Sequence, residues 1–315
     1  MTAIKSQFNL PNGQGGYDTH HFETESAQVT DLPQTLAPYI KNITSDGAIF
    51  TLTKGDNTTV DLAVVADNAG AHNALFRGKD LTEYFDSGEM SEAIAAGTFE
   101  DIYPGDFIKK SVTVDGTTYT DVIWIVGDLD YHLHRGDTET TDHHVLLFPK
   151  NNIGTARMNA TDVTTGGFLG SEMWKTTLPK YATGIKAAFG ATHVLTHNEI
   201  LTDTVNTSAA SMAGAGLTGC SSHWIWTAVD VNLFNEPMVY GNHPLSSSFY
   251  DIGDCNTQVA AMRHDKSLSF TRQAWCWLRA VAHSTTFCLA NSSGTAGTSS
   301  ASLAAGGVRP YFLLR

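Results

Sequence analysis

Apolar and polar residues alternate along residues 40–65, which read IKNITSDGAIFTLTKGDNTTVDLAVV. The alternation is interrupted at Asp46-Gly47 and again at Gly55-Asp56-Asn57. An apolar–polar period of two, with such residues between the runs, is typical of strands joined by tight turns. We therefore predict a small β-meander in a region bounded at residues 31–70. Because an isolated hairpin is marginally stable in water, either a symmetry mate or the rest of the chain must cover it, and oligomerisation is the physical inference.

Polar sequence precedes this region, and helical patterns follow it. Residues 1–30 contain few apolar side chains and include the stretch NGQGG, which predicts an extended N-terminal arm or one ordered by a partner. After residue 71, Ser91 stands before an apolar run closed by Gly97, which predicts a short helix with both caps. A second helical pattern ends at Gly190.

Further apolar runs predict strands within residues 71–315: TYTDVIWIVGDLDYHL, HHVLLFPK, AWCWLRAV and the final GGVRPYFLLR. Between the last two runs, the uncharged small residues from Leu289 to Ala305 predict a long loop bracketed by two paired terminal strands. The fold class expected from these patterns is α+β and mainly β, with residues 71–315 as a single domain behind the meander.

Composition and charge argue against several classes of function. The chain has 315 residues, of which 42% are hydrophobic and only 16% charged, so it can bury a sizeable core and favours strands and turns. A net charge of −13 opposes binding to nucleic acid and to anionic lipid surfaces. The first residues lack the apolar core of a secretory signal, and no segment approaches the length of a membrane span. We expect synthesis in a cytoplasm and no membrane insertion.

Signatures of catalysis are weak. The four cysteines, Cys220, Cys255, Cys276 and Cys288, lack the paired spacing of a zinc site, and we expect free, partly buried thiols. The sequence contains no Gly-x-Ser-x-Gly elbow, no P-loop and no complete dinucleotide fingerprint. We predict no catalytic residue, no cofactor and no enzymatic activity.

A cluster of His and Asp residues is the densest group of potential metal ligands: Asp128, Asp130, His132, His134, Asp142, His143 and His144. Alternation would put the first four in one strand register, and Asp130, His132 and His134 are weak candidates for a divalent ion. Consecutive residues of a strand point to opposite faces, however, as His143 and His144 would. The favoured interpretation is polar residues at turns and strand edges, without a metal.

Eight segments occur together in an order that resembles a family of phage proteins from gut bacteria: HNALFRGKDL, AAGTFEDIYPGDF, HHVLLFPK, TARMNATDVTTGGFLGSEMW, AAFGATHVLTHNEIL, NEPMVYG, WLRAV and GGVRPYFLL. They cover nearly all of residues 71–315. The closing Trp-Leu-Arg and Gly-Val-Arg-Pro strands resemble the C-type lectin fold of the formylglycine-generating-enzyme type. In several such proteins, as in phage tropism determinants, a diversity-generating retroelement rewrites chosen codons between those strands. The meander is similar to short β-modules of phage tail and head fibres.

The resemblance implies a fixed frame and a displayed surface in the last forty residues. The frame would comprise Trp277, Leu278, Arg279, Val281, Phe287, Gly294, Val308, Arg309 and Pro310. Binding residues belong on loops that a rigid scaffold holds. The candidate ligand-binding positions are Cys276, Ala280, His283, Ser284, Thr285, Leu289, Asn291, Ser292, Thr295, Thr298, Ser299, Ser300 and Leu303. The alternative for Leu289 to Ala305 is a solvated, linker-like loop.

Three frame residues receive specific roles. In a strand, Trp275 and Trp277 share one face, which we assign to the core, so Cys276 is expected to point to the display surface. Arginines flanked by apolar strand residues usually pair with a buried carboxylate or with carbonyls, so Arg279 and Arg309 are expected to be scaffold rather than ligand contacts.

The resemblance implies a virion structural protein, a tail or head fibre or receptor-binding adhesin, that displays a diversifiable surface for host attachment. One alternative is a virion decoration protein without a specific ligand, and another is an oxidase of the formylglycine-generating type that uses Cys276 and Cys288. The expected partners are further copies of the chain in a homotrimer, other virion proteins at the N-terminal region, and a host cell-surface protein or glycan. The expected location is the virion surface, after synthesis in the bacterial cytoplasm.

Overall fold

The computed structural model describes residues 6–11, 17–22, 40–46, 49–63, 69–206, 221–246, 257–272 and 274–315. The chain divides into two compact units, Met1–Ala66 and Asp67–Arg315. Strand accounts for 35% of the structure and helix for 21%, so the prediction of a mainly β, α+β protein is confirmed at that level. Among the described residues, no helix is both long enough and apolar enough to cross a membrane.

The described residues of the first unit form two small antiparallel sheets. β1 (Ser6–Pro11) pairs with β2 (Tyr17–Phe22), so the region predicted to be an extended arm contains a hairpin. β3 (Ile40–Asp46), β4 (Ile49–Lys54) and β5 (Thr59–Ala63) follow one another in a three-stranded sheet, and this is the predicted meander. Its second turn is held by Asp56, whose Oδ1 accepts from the backbone N and Oγ1 of Thr58 at 2.9 and 2.6 Å.

A five-stranded antiparallel sheet organises the second unit, in the order β11-β15-β8-β7-β6. Its strands are β6 (Phe107–Val114), β7 (Thr117–Leu129), β8 (Val145–Pro149), β11 (Val231–Leu233) and β15 (Pro310–Leu314). Every residue of β8 and of β15 is buried. Strands covered on both faces are continuous apolar runs rather than alternating ones, which is how the VLLFP and PYFLL segments read.

The described residues of this unit form two further sheets. β9 (His197–Val205) and β10 (Ser221–Val229) form an antiparallel pair, and β12 (Cys276–Val281), β13 (Thr286–Ala290) and β14 (Ala296–Ser300) form a three-stranded sheet. The terminal strand β15 therefore pairs with β8 and β11, and not with β12 as predicted. The predicted long loop is also wrong, because most of it forms β14 and the turn that precedes it.

Among the described residues the helices are short, apart from one that packs on the main sheet. They are α1 (Ala69–His72), α2 (Thr82–Ser87), α3 (Glu89–Ala95), α4 (Leu178–Phe189), α5 (Glu236–Tyr240) and α6 (Ala260–His264), with a π-helical turn at Met173–Thr177 and a 3₁₀ turn at Lys266–Ser269. Ser91 lies inside α3 rather than at its N-cap, which is Gly88. α4 ends at Gly190 as predicted, and its Phe189 ring packs 4.9 Å from Phe312 of β15.

The main sheet separates two apolar cores. Phe312 and Leu314 of β15 lie in the first core, whereas Tyr311 and Leu313 lie in the second. β12 is divided in the same way, with Trp277 and Val281 in the first core. Its remaining apolar side chains, Cys276, Leu278 and Ala280, lie in the second core. β12 therefore has no solvent-facing side. Its alternate residues point into one core or the other, rather than into a core and into solvent.

Candidate functional site

A hairpin of β13 and β14 occupies the region predicted to display the ligand-binding surface; β13 is buried apart from Thr286, whereas β14 and the turn are at least partly accessible. The strands pair from Thr286 with Ser300 to Ala290 with Ala296. Their turn is closed by the N–H of Asn291, which donates to the carbonyl of Thr295 at 2.9 Å. Gly294 adopts a φ of 85° in this turn, and a Cβ there would lie 2.9 Å from the Phe270 ring. Glycine satisfies both the left-handed backbone and the close contact.

Exposure divides the candidate ligand-binding residues into two groups. One group is at least partly accessible and forms what we name the hairpin surface: His283, Ser284, Thr285, Asn291, Ser292, Thr295, Thr298, Ser299, Ser300 and Leu303. The other group, Cys276, Ala280 and Leu289, is buried, so their predicted display is wrong. Cys276 and Ala280 fail because β12 is covered on both faces, and Leu289 because it lies in the first core on a strand covered in the same way.

A loop distant in sequence supports this surface. The backbone N–H groups of Met158 and Asn159 both donate to the carbonyl of Ala301 at 2.9 Å. Thr164 donates through its backbone N to Ser284 O at 3.0 Å and through Oγ1 to His283 O at 2.8 Å. Val163 of the same loop is 45% exposed beside these contacts. The loop extends the hairpin surface, although no pattern in the sequence assigns it there.

Buried side chains with their own partners hold the frame. Trp277 donates through Nε1 to the carbonyl of Ala156 at 2.7 Å. Arg309 donates to the carbonyls of Pro149 at 2.9 Å and Leu268 at 2.8 Å, and its guanidinium lies 4.7 Å from the Phe148 ring centroid. Burial lowers the pKa of Arg309 to about 10, so it is still a cation at neutral pH. Carbonyl partners are what the sequence predicts for this arginine.

Arg279 is bound to a carboxylate from another sheet. Its NH1 donates to Oε2 of Glu199 in β9, with both side chains fully buried. The other oxygen, Oε1, accepts from Tyr311 OH at 2.6 Å and from Asn232 Nδ2 at 3.1 Å. Although burial alone would raise the pKa of Glu199, the nearby Arg279 charge and the hydrogen bond from His197 hold it well below its usual range. Glu199 is therefore an anion inside the protein.

Two buried histidines lie beside this carboxylate. His197 donates through Nε2 to Oε1 of Glu199 at 3.0 Å, and its ring centroid lies 4.4 Å from that of His132. Both ring nitrogens of His132 lack a hydrogen-bond partner among the described residues. Burial, with the neighbouring His197, lowers the pKa of His132 well below its usual range. We name His132, His197 and Glu199 the histidine–glutamate cluster.

The metal candidates predicted from sequence are not brought together. β7 ends at Leu129, and Asp130 and His134 adopt positive φ angles of 57° and 59° in the turns that follow, so the predicted common strand register is wrong. The Asp130 carboxylate is instead bonded to His143 Nδ1 at 2.7 Å, and exposed His134 pairs with Glu139 at 2.6 Å.

Sequence reasoning found His132 but missed its neighbours. His197 and Glu199 are two residues apart in a strand, so both project from one face towards His132. The spacing of these two residues in the segment HNEIL was the pattern from which their common face could have been predicted. Pairing it with His132 required a contact between residues 65 positions apart, which periodicity cannot supply.

The described cysteines are inert by position. Cys276 and Cys288 lie in the second core and are not joined in a disulfide. Burial raises the pKa of the Cys276 thiol, which keeps it protonated and a poor nucleophile. Cys220 and Cys255 lie outside the described residues. The nearby Arg309 charge and a backbone hydrogen bond from Ala290 favour the Cys276 thiolate, but burial outweighs them.

Comparison of the chain with protein-family models, with curated proteins and with solved structures found no match.

Proposed function

We propose that this chain is a bacteriophage virion structural protein, a fibre or receptor-binding adhesin of the tail or head. Residues 71–315 would form a C-type-lectin-like domain, and the hairpin surface would contact a protein or glycan on the host cell. The ordered set of phage-type segments suggests the family, and the geometry of the last forty residues supports a display role.

The supporting observation is the separation of frame from surface. Trp277, Arg279 and Arg309 are buried and bonded to partners outside the hairpin surface. The hairpin surface is held by backbone hydrogen bonds, such as that from Asn291 to Thr295, and these do not depend on side-chain identity. A scaffold with this division tolerates substitution at the binding positions without losing its fold.

The chemistry of the surface suggests weak binding by each copy. Residues 284–305 contain no charged side chain, and Phe287 is their only aromatic residue. Phe287 is buried, so the surface lacks the Trp, Tyr and Arg side chains that dominate binding hot spots. Linking several sites raises avidity by roughly 100-fold to 10,000-fold without new contacts. We therefore propose that attachment depends on an oligomer, with a homotrimer as the preferred state.

Binding of the full chain to a panel of gut bacteria tests the proposal. Ser300→Lys and Thr295→Lys add a charged, long side chain to the hairpin surface, whereas Ala187→Lys adds the same side chain at an exposed position of α4 and is the matched control. We expect binding to at least one strain, reduced by the hairpin variants and unchanged by the control, with equal melting temperatures. Equal binding by all variants would contradict a role for this surface.

The genome context, the incorporation of the chain into virions and its binding to bacteria separate this proposal from the alternatives. A near-copy of the Trp277–Pro310 coding segment beside a reverse transcriptase gene would establish diversification. A chain that joins virions but binds no strain would favour a decoration protein. The oxidase alternative gains no support from Cys276 and Cys288, since both thiols are buried.

A further inference from the structure

The histidine–glutamate cluster combines three donors that transition metals prefer. One ligand atom from each of His132, His197 and Glu199 lies within 4.8 Å of the other two, and all three residues are buried. Two come from β9 and the third from the segment after β7, so an ion there would join two separate parts of the unit. Imidazole and carboxylate ligands suit zinc and its first-row neighbours.

The imidazole rings of His132 and His197 make fewer hydrogen bonds than they are capable of making. Neither ring nitrogen of His132, nor Nδ1 of His197, has a hydrogen-bond partner among the described residues. A neutral imidazole carries one N–H and one lone pair, so burying both unpaired is costly. By contrast, buried His144 uses both nitrogens: Nε2 accepts from the backbone N of His132 at 3.0 Å, and Nδ1 donates to the carbonyl of Asp142 at 2.9 Å. The unmet bonding capacity is therefore concentrated between His132 and His197.

We propose that the histidine–glutamate cluster binds one divalent first-row transition-metal ion, with Zn²⁺ the best match. One ring nitrogen of each histidine and one carboxylate oxygen of Glu199 serve as ligands, and a solvent molecule takes the fourth position. The ion fixes β9 to the segment after β7 from inside the protein.

The surroundings of Glu199 resemble those of a metal-bound carboxylate. Asn232 and Tyr311 donate to Oε1 and orient the group, as outer-shell partners do in metal sites. Arg279 donates through NH1 to the other oxygen, Oε2, and to the Tyr311 hydroxyl at 3.1 Å, so Oε2 is already paired with a cation and Oε1 is the oxygen left for an ion. A solvent ligand that ionises on the metal adds a negative charge, which offsets part of the charge brought in by the ion.

Binding requires the donors to move closer together. Ligands 2.0–2.2 Å from a tetrahedral Zn²⁺ are separated by about 3.4 Å, so atoms up to 4.8 Å apart must close by at most about 1.4 Å. No described hydrogen bond restrains the His132 ring, so the movement requires adjustment of its packing against the Tyr131 and His197 rings. Because the donors are buried, the ion enters while the chain folds or opens locally.

Metal titration of the refolded full chain tests the site. The chain is unfolded with a chelator, refolded with or without Zn²⁺ or Co²⁺, and its bound metal and melting temperature are measured. His132→Phe keeps a ring of similar volume and removes both nitrogens, and exposed His134→Phe is the matched control. We expect about one tightly held ion per chain in wild type and in His134→Phe. In His132→Phe the affinity for the ion should fall by at least as much as on loss of an outer-shell partner, which is roughly 10-fold to 100-fold.

The chelated state gives an independent readout. Without metal, His132→Phe should melt at or above the wild-type temperature, since it removes unpaired nitrogens; Zn²⁺ should then raise only the wild-type and His134→Phe midpoints. Should His132→Phe not refold, X-ray absorption on the Zn²⁺-bound wild type decides, with two imidazoles in the first shell expected. Absence of a bound ion, equal affinity in both variants, or a shell without two imidazoles would overturn the proposal.

Discussion

Arg279 and Glu199 form a fully buried ion pair across 80 residues of sequence, joining β12 to β9. Tyr311 of β15 contacts both members, donating to Glu199 at 2.6 Å and accepting from Arg279 at 3.1 Å. Three sheets therefore meet at one carboxylate. The strand that precedes the hairpin surface is fixed in place by this contact.

Breaking this pair on one side should destabilise the protein strongly. Glu199→Gln or Arg279→Met should each lower the free energy of unfolding by about 3–5 kcal/mol, because one charge remains buried without its partner. The double variant should be far more stable than the sum of the single changes predicts. Denaturant unfolding with a chelator present measures all three, and additive losses would contradict the coupling.

Gly306 should not tolerate a methyl group. A Cβ at this position would lie 1.9 Å from Nε1 of Trp277, a fully buried ring that is fixed by its bond to Ala156. Gly306→Ala should lower the unfolding free energy by at least about 1–3 kcal/mol, the usual effect of overpacking. Gly78→Ala is the matched control, since nothing lies within 4 Å of its Cβ position. Equal thermal stability of the two variants would refute the contact.

Cys276 and Cys288 should resist alkylation in the native protein. Both are buried, and burial raises the pKa of the Cys276 thiol. Iodoacetamide should label these two residues no faster than the protein opens, and rapidly in denaturant. Peptide mass spectrometry follows each site separately. Fast labelling of the folded chain would mean that β12 has an exposed face after all.

Asp128 should make stability depend on pH. Burial raises the pKa of its carboxyl from 3.8 to about 6 in the folded chain, where it accepts from Asn73 Nδ2 and from the Ala260 backbone N, each at 2.8 Å. The folded state thus binds the proton more tightly, so this group's stabilising contribution is full below pH 4 and is lost as the pH rises to 6. At 1.36 kcal/mol per pKa unit the loss is about 3 kcal/mol.

Two measurements check this. Carboxyl NMR should give a midpoint near pH 6 for Asp128. The stability difference between wild type and Asp128→Asn should shrink from pH 4 to pH 7, and a constant or growing difference would refute the assignment.

Patterns of residues close together in the sequence were sufficient to predict much of the fold. The meander, the strand runs of β7 and β8 and the end of α4 at Gly190 follow from period, turn residues and glycine position. Each depends on residues close in sequence. The α+β class follows from the same mixture.

Features that depend on tertiary context escaped prediction. The β14 segment, AGTSS, is composed of small residues typical of loops, and it becomes a strand because β13 offers a pairing edge. Cys276 was assigned to the surface because alternation gives two faces but does not reveal that a second core covers the other one. The partner of Arg279 was expected to be a carboxylate, but only the folded chain identifies Glu199.

Pairing of β15 with β8 sets Phe312 opposite Leu147, with about half of the sequence between them. Closing so large a loop costs entropy before the central strands gain any burial, and chains dominated by such distant pairings fold slowly. Until β15 inserts, the apolar edges of β8 and β11 stay open to strands of other chains. Recombinant production at low temperature and low expression rate should therefore yield more native protein than rapid synthesis.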